Sequence, residues 1–249
     1  MIQVVISGAG GKLATPIAEA VLASEDLELS GLFNPNRVGQ MLHGLKIEGD
    51  PDAMSGDVVV ETAHNDVVLD NLAQWHDRGL AAVVGTSGFT PERLAQVRGS
   101  WGSEGQACLI VPNFAIGAVL MMRFASAAAP YFEAVEIVER HSSTKPDAPS
   151  GTALATAMGV SAAGGASTEG SAELVEGARG ASVEGVRVHA LRLPGVISQQ
   201  EVVLSNAGEV LSIEHMSTNY QSFASGALLA IRKVRELEPG VHLGLDAVL

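Results

Sequence analysis

At 249 residues the chain is long enough for one large domain or two smaller ones, and a hydrophobic share of 47 % excludes disorder. A formal charge of −13 argues against wrapping nucleic acid, which takes a basic face, so an anionic ligand has to be met by cations gathered locally. The single cysteine, Cys108, excludes a disulfide scaffold within the chain and reads as a buried small hydrophobe in a reducing compartment.

The opening MIQVVISGAGG enters a strand at once, with no basic region and no room for a signal peptide. IQVVIS is a continuous apolar run, as in a strand buried on both faces. Gly8, Gly10 and Gly11 then turn the chain into KLATPIAEAVLAS, which has helical spacing. LELSGLF reads as a second strand, GDVVVETA as a third, and NDVVLDNLAQWHDRG as an amphipathic helix ending at Gly79. LAAVVGTSG is a fourth strand, TPERLAQVRGSW a helix opened by Thr-Pro, ACLIVPN a fifth strand and GAVLMMRFASAAA a helix. Strands alternating with helices predict a doubly wound α/β fold with a parallel sheet. The longest apolar run, ACLIVPNFAIGAVLMM, is interrupted by Pro112 and Asn113 and is too short to span a bilayer. A soluble cytoplasmic protein with no membrane and no nucleic-acid partner is expected.

After about residue 130 the rhythm changes. AVEIVERH is a strand and GTALATAMGVSAA a helix; residues 163–185, rich in Gly, Ala, Ser and Glu, read as a long loop. VRVHALRL, QEVVLSN and EVLSIEHMS predict a mainly antiparallel sheet, hence a second, α+β domain. SFASGALLAIRKVRELE closes as a helix. There is no internal repeat. His43, His64, His76, His189, His215 and His242 show no metal-ligand spacing, and Trp75, Trp101 and Tyr131 read as packing residues.

Two stretches carry chemistry. SGAGGKLA follows a strand and opens a helix, with Gly8, Gly11 and Ala14 at the key steps of a dinucleotide turn. Free amides and the positive end of the helix dipole suit a pyrophosphate there; a tight strand-to-helix turn without a nucleotide needs the same residues. The second strand ends in GLFNPNR. Asn34 stands where an NAD-preferring fold places an acid, and Arg37 follows three residues later, which favours a 2′-phosphate and NADPH over NADH unless Arg37 is a solvated surface charge.

The other stretch is ERHSSTKPDAPSGTALATA, residues 139 to 157. Pro149 fixes a turn, Ser150 is a good N-cap, and Gly151 and Thr152 follow it. The first amides of such a helix lack internal partners and suit a carboxylate or phosphate. His141 and Lys145 precede this helix end. An imidazole exchanges protons near neutral pH, and an ammonium neutralises an anion or delivers a proton. Taken singly, these are a plain helix cap, a strand-end histidine and a loop lysine; their joint occurrence points to an anionic-substrate site with proton donors attached.

ERHSSTKPDAPSGTA resembles the signature of the 4-hydroxy-tetrahydrodipicolinate reductase (dihydrodipicolinate reductase) family. The resemblance covers nearly the whole chain: VVGTSGF is similar to the family's cofactor loop, and VPNFAIGAVL, GARGASVEGVRVHALRLPG and SFASGALLAI also match. It implies a Rossmann-type dinucleotide-binding domain over residues 1–113, completed by 220–249, and a substrate-binding and oligomerisation domain over 114–219. It implies an NAD(P)H-dependent reductase of the diaminopimelate route to lysine, acting on a small cyclic dicarboxylate and assembled as a homotetramer. By position, Gly8, Ala9, Gly10, Gly11, Lys12 and Leu13 would hold the pyrophosphate. Gly85, Thr86, Ser87, Val111, Pro112, Asn113 and Phe114 would line the nicotinamide. His141 and Lys145 would be the proton carriers, and Ser142, Ser150, Gly151 and Thr152 would face the substrate. No metal is implied.

The chain departs from the family pattern at Ser142 and Thr144, where the family carries histidines or Asn, at Ala63 in Glu61-Thr62-Ala63, and at Tyr220, where an arginine is expected. These changes admit two alternatives: a paralogue reducing a different cyclic imine or unsaturated acid, and a silent dinucleotide-binding sensor. Keeping both His141 and Lys145 argues against the sensor.

Overall fold

The structure, a computed structural model, describes residues 1–102, 105–168 and 170–249. It divides into two compact units, residues 1–116 with 220–249 and residues 117–219.

The first unit is built on β1 (Ile2–Ser7), β2 (Leu27–Phe33), β3 (Met41–Leu42), β4 (Leu45–Glu48), β5 (Val58–Glu61), β6 (Ala81–Val84), β7 (Ala107–Ile110) and β13 (Gly240–Leu243). They form one sheet in the order β13-β7-β6-β5-β1-β2-β4-β3. Every pairing is parallel except the β3–β4 hairpin. Helices α1 (Ala14–Leu22), α2 (Val68–Asp77), α3 (Pro91–Trp101) and α6 (Ala224–Lys233) belong to it. All residues of β5, β6 and β7 are buried, which is why these strands read as unbroken apolar runs. Trp75 and Trp101 are buried, with Trp75 edge-on to Phe33 at 5.1 Å between ring centroids. Thr90 caps α3, its hydroxyl accepting from the Arg93 amide. Cys108 lies in the core, where burial pushes its thiol pKa up.

The second unit has a five-stranded sheet in the order β12-β11-β8-β10-β9, from β8 (Ala134–Ser142), β9 (Ala181–Val183), β10 (Val186–Leu193), β11 (Ser198–Asn206) and β12 (Glu209–Ser217). Only β8 and β10 pair in parallel; the crossover between them contains α5 (Gly151–Ala162). Val135 and Ile137 of β8, Val186 and Val188 of β10, and Val202 and Leu204 of β11 form the inner face. They pack with Ala153, Ala157 and Val160 of α5 and with Met121 and Ala125 of α4 (Ile116–Ala128).

Several readings of the sequence need correction. The span 163–185 is not all loop, because β9 occupies its end and turns into β10 through Glu184 and Gly185, both at positive φ. Tyr131 is exposed rather than packed. The helix after the glycine turn starts at Ala14, so Lys12 and Leu13 belong to the turn. The β3–β4 hairpin and β13 were not expected. No described helix is long and apolar enough to cross a membrane.

Candidate functional site

In the first unit the chain leaves β1 toward β2 on one side and returns to β5 on the other, making a switch point at the carboxyl ends of β1, β2 and β5. A cleft of about 450 Å³ opens there, lined among others by Ser7, Gly8, Asn34, Thr62, Ala63 and His64. Gly8 and Gly10 hold φ of 82° and 80°, a region open chiefly to glycine. Space is scarce as well: a Cβ on Gly8 would lie 2.8 Å from Thr62 Oγ1, and one on Gly10 would lie 2.9 Å from an Arg37 guanidinium nitrogen. Arg37 therefore folds over the glycine turn. Asn34 ties its loop to the same turn, its Nδ2 donating to the Ala9 carbonyl at 2.8 Å. The first turn of α1 carries no acidic residue, leaving its positive end bare.

Next to this turn stands the segment Glu61-Thr62-Ala63. The Thr62 hydroxyl donates to the Ser7 carbonyl at 2.7 Å, and the Thr86 hydroxyl to the Ala63 carbonyl at 2.8 Å. Gly85 must be small, since a Cβ there would lie 2.7 Å from the Phe114 ring and 2.9 Å from Leu13 Cδ2. Leu13, Gly85, Thr86 and Phe114 are thus gathered at one edge, with Ser87 exposed beside them. Val111 is buried, its amide bonded to the Val84 carbonyl; Asn113 Oδ1 accepts from the Ala115 amide, and Pro112 is exposed. Glu61 is fully buried. Burial raises its carboxyl pKa, against the pull of bonds from Trp75 Nε1 at 2.9 Å, the Ala63 amide at 2.7 Å and Asn71 Nδ2 at 3.1 Å.

In the second unit Ser150 caps α5, its Oγ accepting from the Ala153 amide at 3.2 Å. The first turn of α5, with Gly151 and Thr152, carries no acidic residue. His141 is the penultimate residue of β8, and its Nδ1 is bonded to Glu139. Lys145 Nζ is held by both oxygens of Asp147, at 2.7 and 2.8 Å, and this bond draws the Asp147 carboxyl below the usual range. The ammonium foreseen as a neutraliser of substrate charge thus already has an anion. Ser142 Oγ accepts from the Thr144 amide at 3.3 Å and lies 3.0 Å from Thr144 Oγ1, so two of the departures from the family pattern are partners in one turn.

The residue overlooked in the sequence is Glu139. It is fully buried. Its carboxylate accepts from His141, from Arg192 at 3.0 and 2.9 Å, and from the Ser150 amide at 3.3 Å. Arg192 also donates to the Asp147 carbonyl. Burial alone would raise the Glu139 pKa, but the bonds and positive charge of His141 and Arg192 hold it below the ordinary value. The signal was present: Val135, Ile137 and Glu139 alternate onto one face of β8, so a carboxylate stands at a core position two residues before His141.

Residues 2–114 match the family described as dihydrodipicolinate reductase, N-terminus, and residues 117–249 match dihydrodipicolinate reductase, C-terminus. The 4-hydroxy-tetrahydrodipicolinate reductase of Thermobifida fusca is 44 % identical over 255 aligned positions, covering 100 % of this chain and 99 % of that protein. That of Mycolicibacterium vanbaalenii is 43 % identical over 99 % of this chain and 98 % of its own length. The dipicolinate-bound dihydrodipicolinate reductase of Paenisporosarcina sp. TG-14 superposes with a TM-score of 0.85 at 32 % identity, with both chains covered completely. The amine dehydrogenase of Mycobacterium smegmatis shares the fold alone, with a TM-score of 0.69 at 14 % identity over 100 % of this chain and 96 % of that one. With both halves matched and relatives aligned over the full length, the chain belongs to the dihydrodipicolinate reductase family of oxidoreductases.

Proposed function

We propose that this chain reduces 4-hydroxy-tetrahydrodipicolinate to tetrahydrodipicolinate in the diaminopimelate route to lysine, by hydride transfer from a nicotinamide dinucleotide followed by protonation. The observation that carries the reading is the start of α5. There a Ser150 cap and an acid-free first turn are linked through one carboxylate to His141, so that an anion-binding helix end and a proton carrier share an anchor.

The family's cofactor is a pyridine nucleotide, and the first unit suits one. The turn at Gly8–Leu13 has no room for a Cβ at Gly8 and holds Gly10 at positive φ, the end of α1 is bare, and the adjoining cleft lies at the switch point. When bound, the nicotinamide supplies a hydride. In this reading Gly8, Ala9, Gly10, Gly11, Lys12 and Leu13 hold the pyrophosphate, and Gly85, Thr86, Ser87 and Val111–Phe114 border the nicotinamide. The position of Arg37 over Gly10, with Asn34 in place of an acid, favours NADPH. Gly151 and Thr152 take a substrate carboxylate, Ser142 and Ser150 border it, His141 exchanges the proton, and Lys145 is the second donor, exchanging its Asp147 partner for the substrate. We place the enzyme in the cytoplasm as a homotetramer, joined through the outer face of the second sheet, where Val210 and Met216 are exposed.

The test is a coupled assay with synthase-generated substrate and each of NADPH and NADH. The expected result is brisk oxidation, with NADPH bound more tightly and its advantage reduced in Arg37→Ala. Lys145→Ala should lose about 10²-fold in turnover with dinucleotide affinity unchanged; equal losses in both would contradict its role. No oxidation despite intact dinucleotide binding would move the reading to a different cyclic imine, the alternative that the Ser142–Thr144 pair favours.

A further inference from the structure

We infer that Glu139 is a positioning residue for this reaction: its buried carboxylate fixes the tautomer of His141 and anchors the imidazole to the amide of Ser150, the N-cap of α5. The inference rests on the proton-carrier role proposed for His141.

A carboxylate accepts only, so the contact with Nδ1 places the proton on Nδ1 and leaves Nε2 as the atom that gains and loses the catalytic proton. The carboxylate is saturated with donors. One oxygen takes Arg192 and the Ser150 amide, and the other takes Arg192 and His141. Neither oxygen can turn away without stranding a buried donor, so the ring is held in one orientation. Arg192 offsets the cost of burying the charge and also grips the Asp147 carbonyl, extending the same frame to the loop that carries Lys145. The anion-binding end of α5, the imidazole and the lysine loop therefore share a single anchor. When His141 holds a proton on both nitrogens, the carboxylate faces the resulting positive charge and stabilises it.

The tautomer is read directly from long-range proton–nitrogen spectra of the wild-type protein at a pH where the imidazole is neutral. The expected state has Nδ1 protonated and Nε2 bare. Glu139→Gln keeps the shape but removes the charge and one acceptor. In the folded variant, His141 should become a mixture of tautomers and kcat should fall by about 10²-fold, while dinucleotide affinity is unchanged; a merely structural role would leave the tautomer as it was. Wild-type His141 carrying its proton on Nε2 would overturn the inference, as would a folded Glu139→Gln with wild-type kcat. The wild-type spectrum decides the matter even where the variant does not fold. Full turnover in His141→Ala would instead overturn the role of His141 itself, whatever its tautomer.

Discussion

Glu61 and Glu139 are both fully buried, one in each unit, and both stand at or near the carboxyl end of a strand. Their titrations move in opposite directions, Glu61 upward and Glu139 downward. Burial raises the pKa of both. The difference lies in the donors: Trp75, Asn71 and a backbone amide around Glu61 are neutral, whereas Arg192 and His141 bring charge to Glu139. Dipoles soften the loss of water around a carboxylate, and a cation reverses its effect. One glutamate is a framework group that braces the turn beside the cleft of the first unit. The other is kept ionised between His141 and Arg192.

The comparison breaks most visibly at Arg192. Arg192→Met leaves the Glu139 charge buried without its cation, and chemical denaturation should show a loss of about 3–5 kcal/mol. At Glu61 the largest loss of a single donor comes from Trp75→Phe, which conserves an aromatic ring against Phe33 but removes the indole N–H. The expected cost is about 1–3 kcal/mol, smaller because no charge is stranded in the way it is in the second unit. Glu61→Gln should lie at the low end of that range, about 1 kcal/mol: a neutral side chain suits a site that disfavours charge, but its amide replaces one acceptor with an NH2 group that faces the surrounding donors.

The sign of the pH dependence sharpens the same contrast. A free glutamate titrates near about 4.3. Glu139 lies below its unfolded value when folded, so its contribution to stability is complete above that pH and is lost as pH falls through the folded value. Glu61 lies above its unfolded value, so folding takes up a proton in the window between the two, and stability falls as pH rises through it. The stability of wild type relative to Glu139→Gln should therefore decline toward acid from about pH 4.3, and that relative to Glu61→Gln should decline in the opposite direction from the same point. Parallel curves would show that the two glutamates do not differ as described.

Much of the first unit was legible in the sequence because its strands are local apolar runs: IQVVIS and LELSGLF are β1 and β2 residue for residue. What escaped was short or defined by distant partners. β3 has two residues, and its hairpin turns on His43 and Gly44, both at positive φ, without an Asn-Gly to mark it. β13 exists by pairing with β7, more than a hundred residues earlier. The site divides the same way. His141 and Lys145 could be proposed from one motif, and Glu139 was within reach of strand alternation. Arg192 could not be placed without the pairing of β8 with β10, since only that register sets it opposite His141. The hold of Asp147 on Lys145 is a matter of side-chain geometry that spacing alone does not convey.

That register has a consequence for how the second unit avoids misthreading. Shifting β10 by one residue would swing the Arg192 guanidinium to the opposite face of the sheet and strand an unneutralised carboxylate in the interior. The same slip would turn Val186 and Val188 out of the core, so the apolar pattern and the ion pair specify one register. Here the ion pair acts as a key cut for one lock, so a molecule that has closed this sheet wrongly betrays itself by instability rather than lingering as a well-folded but inert impostor.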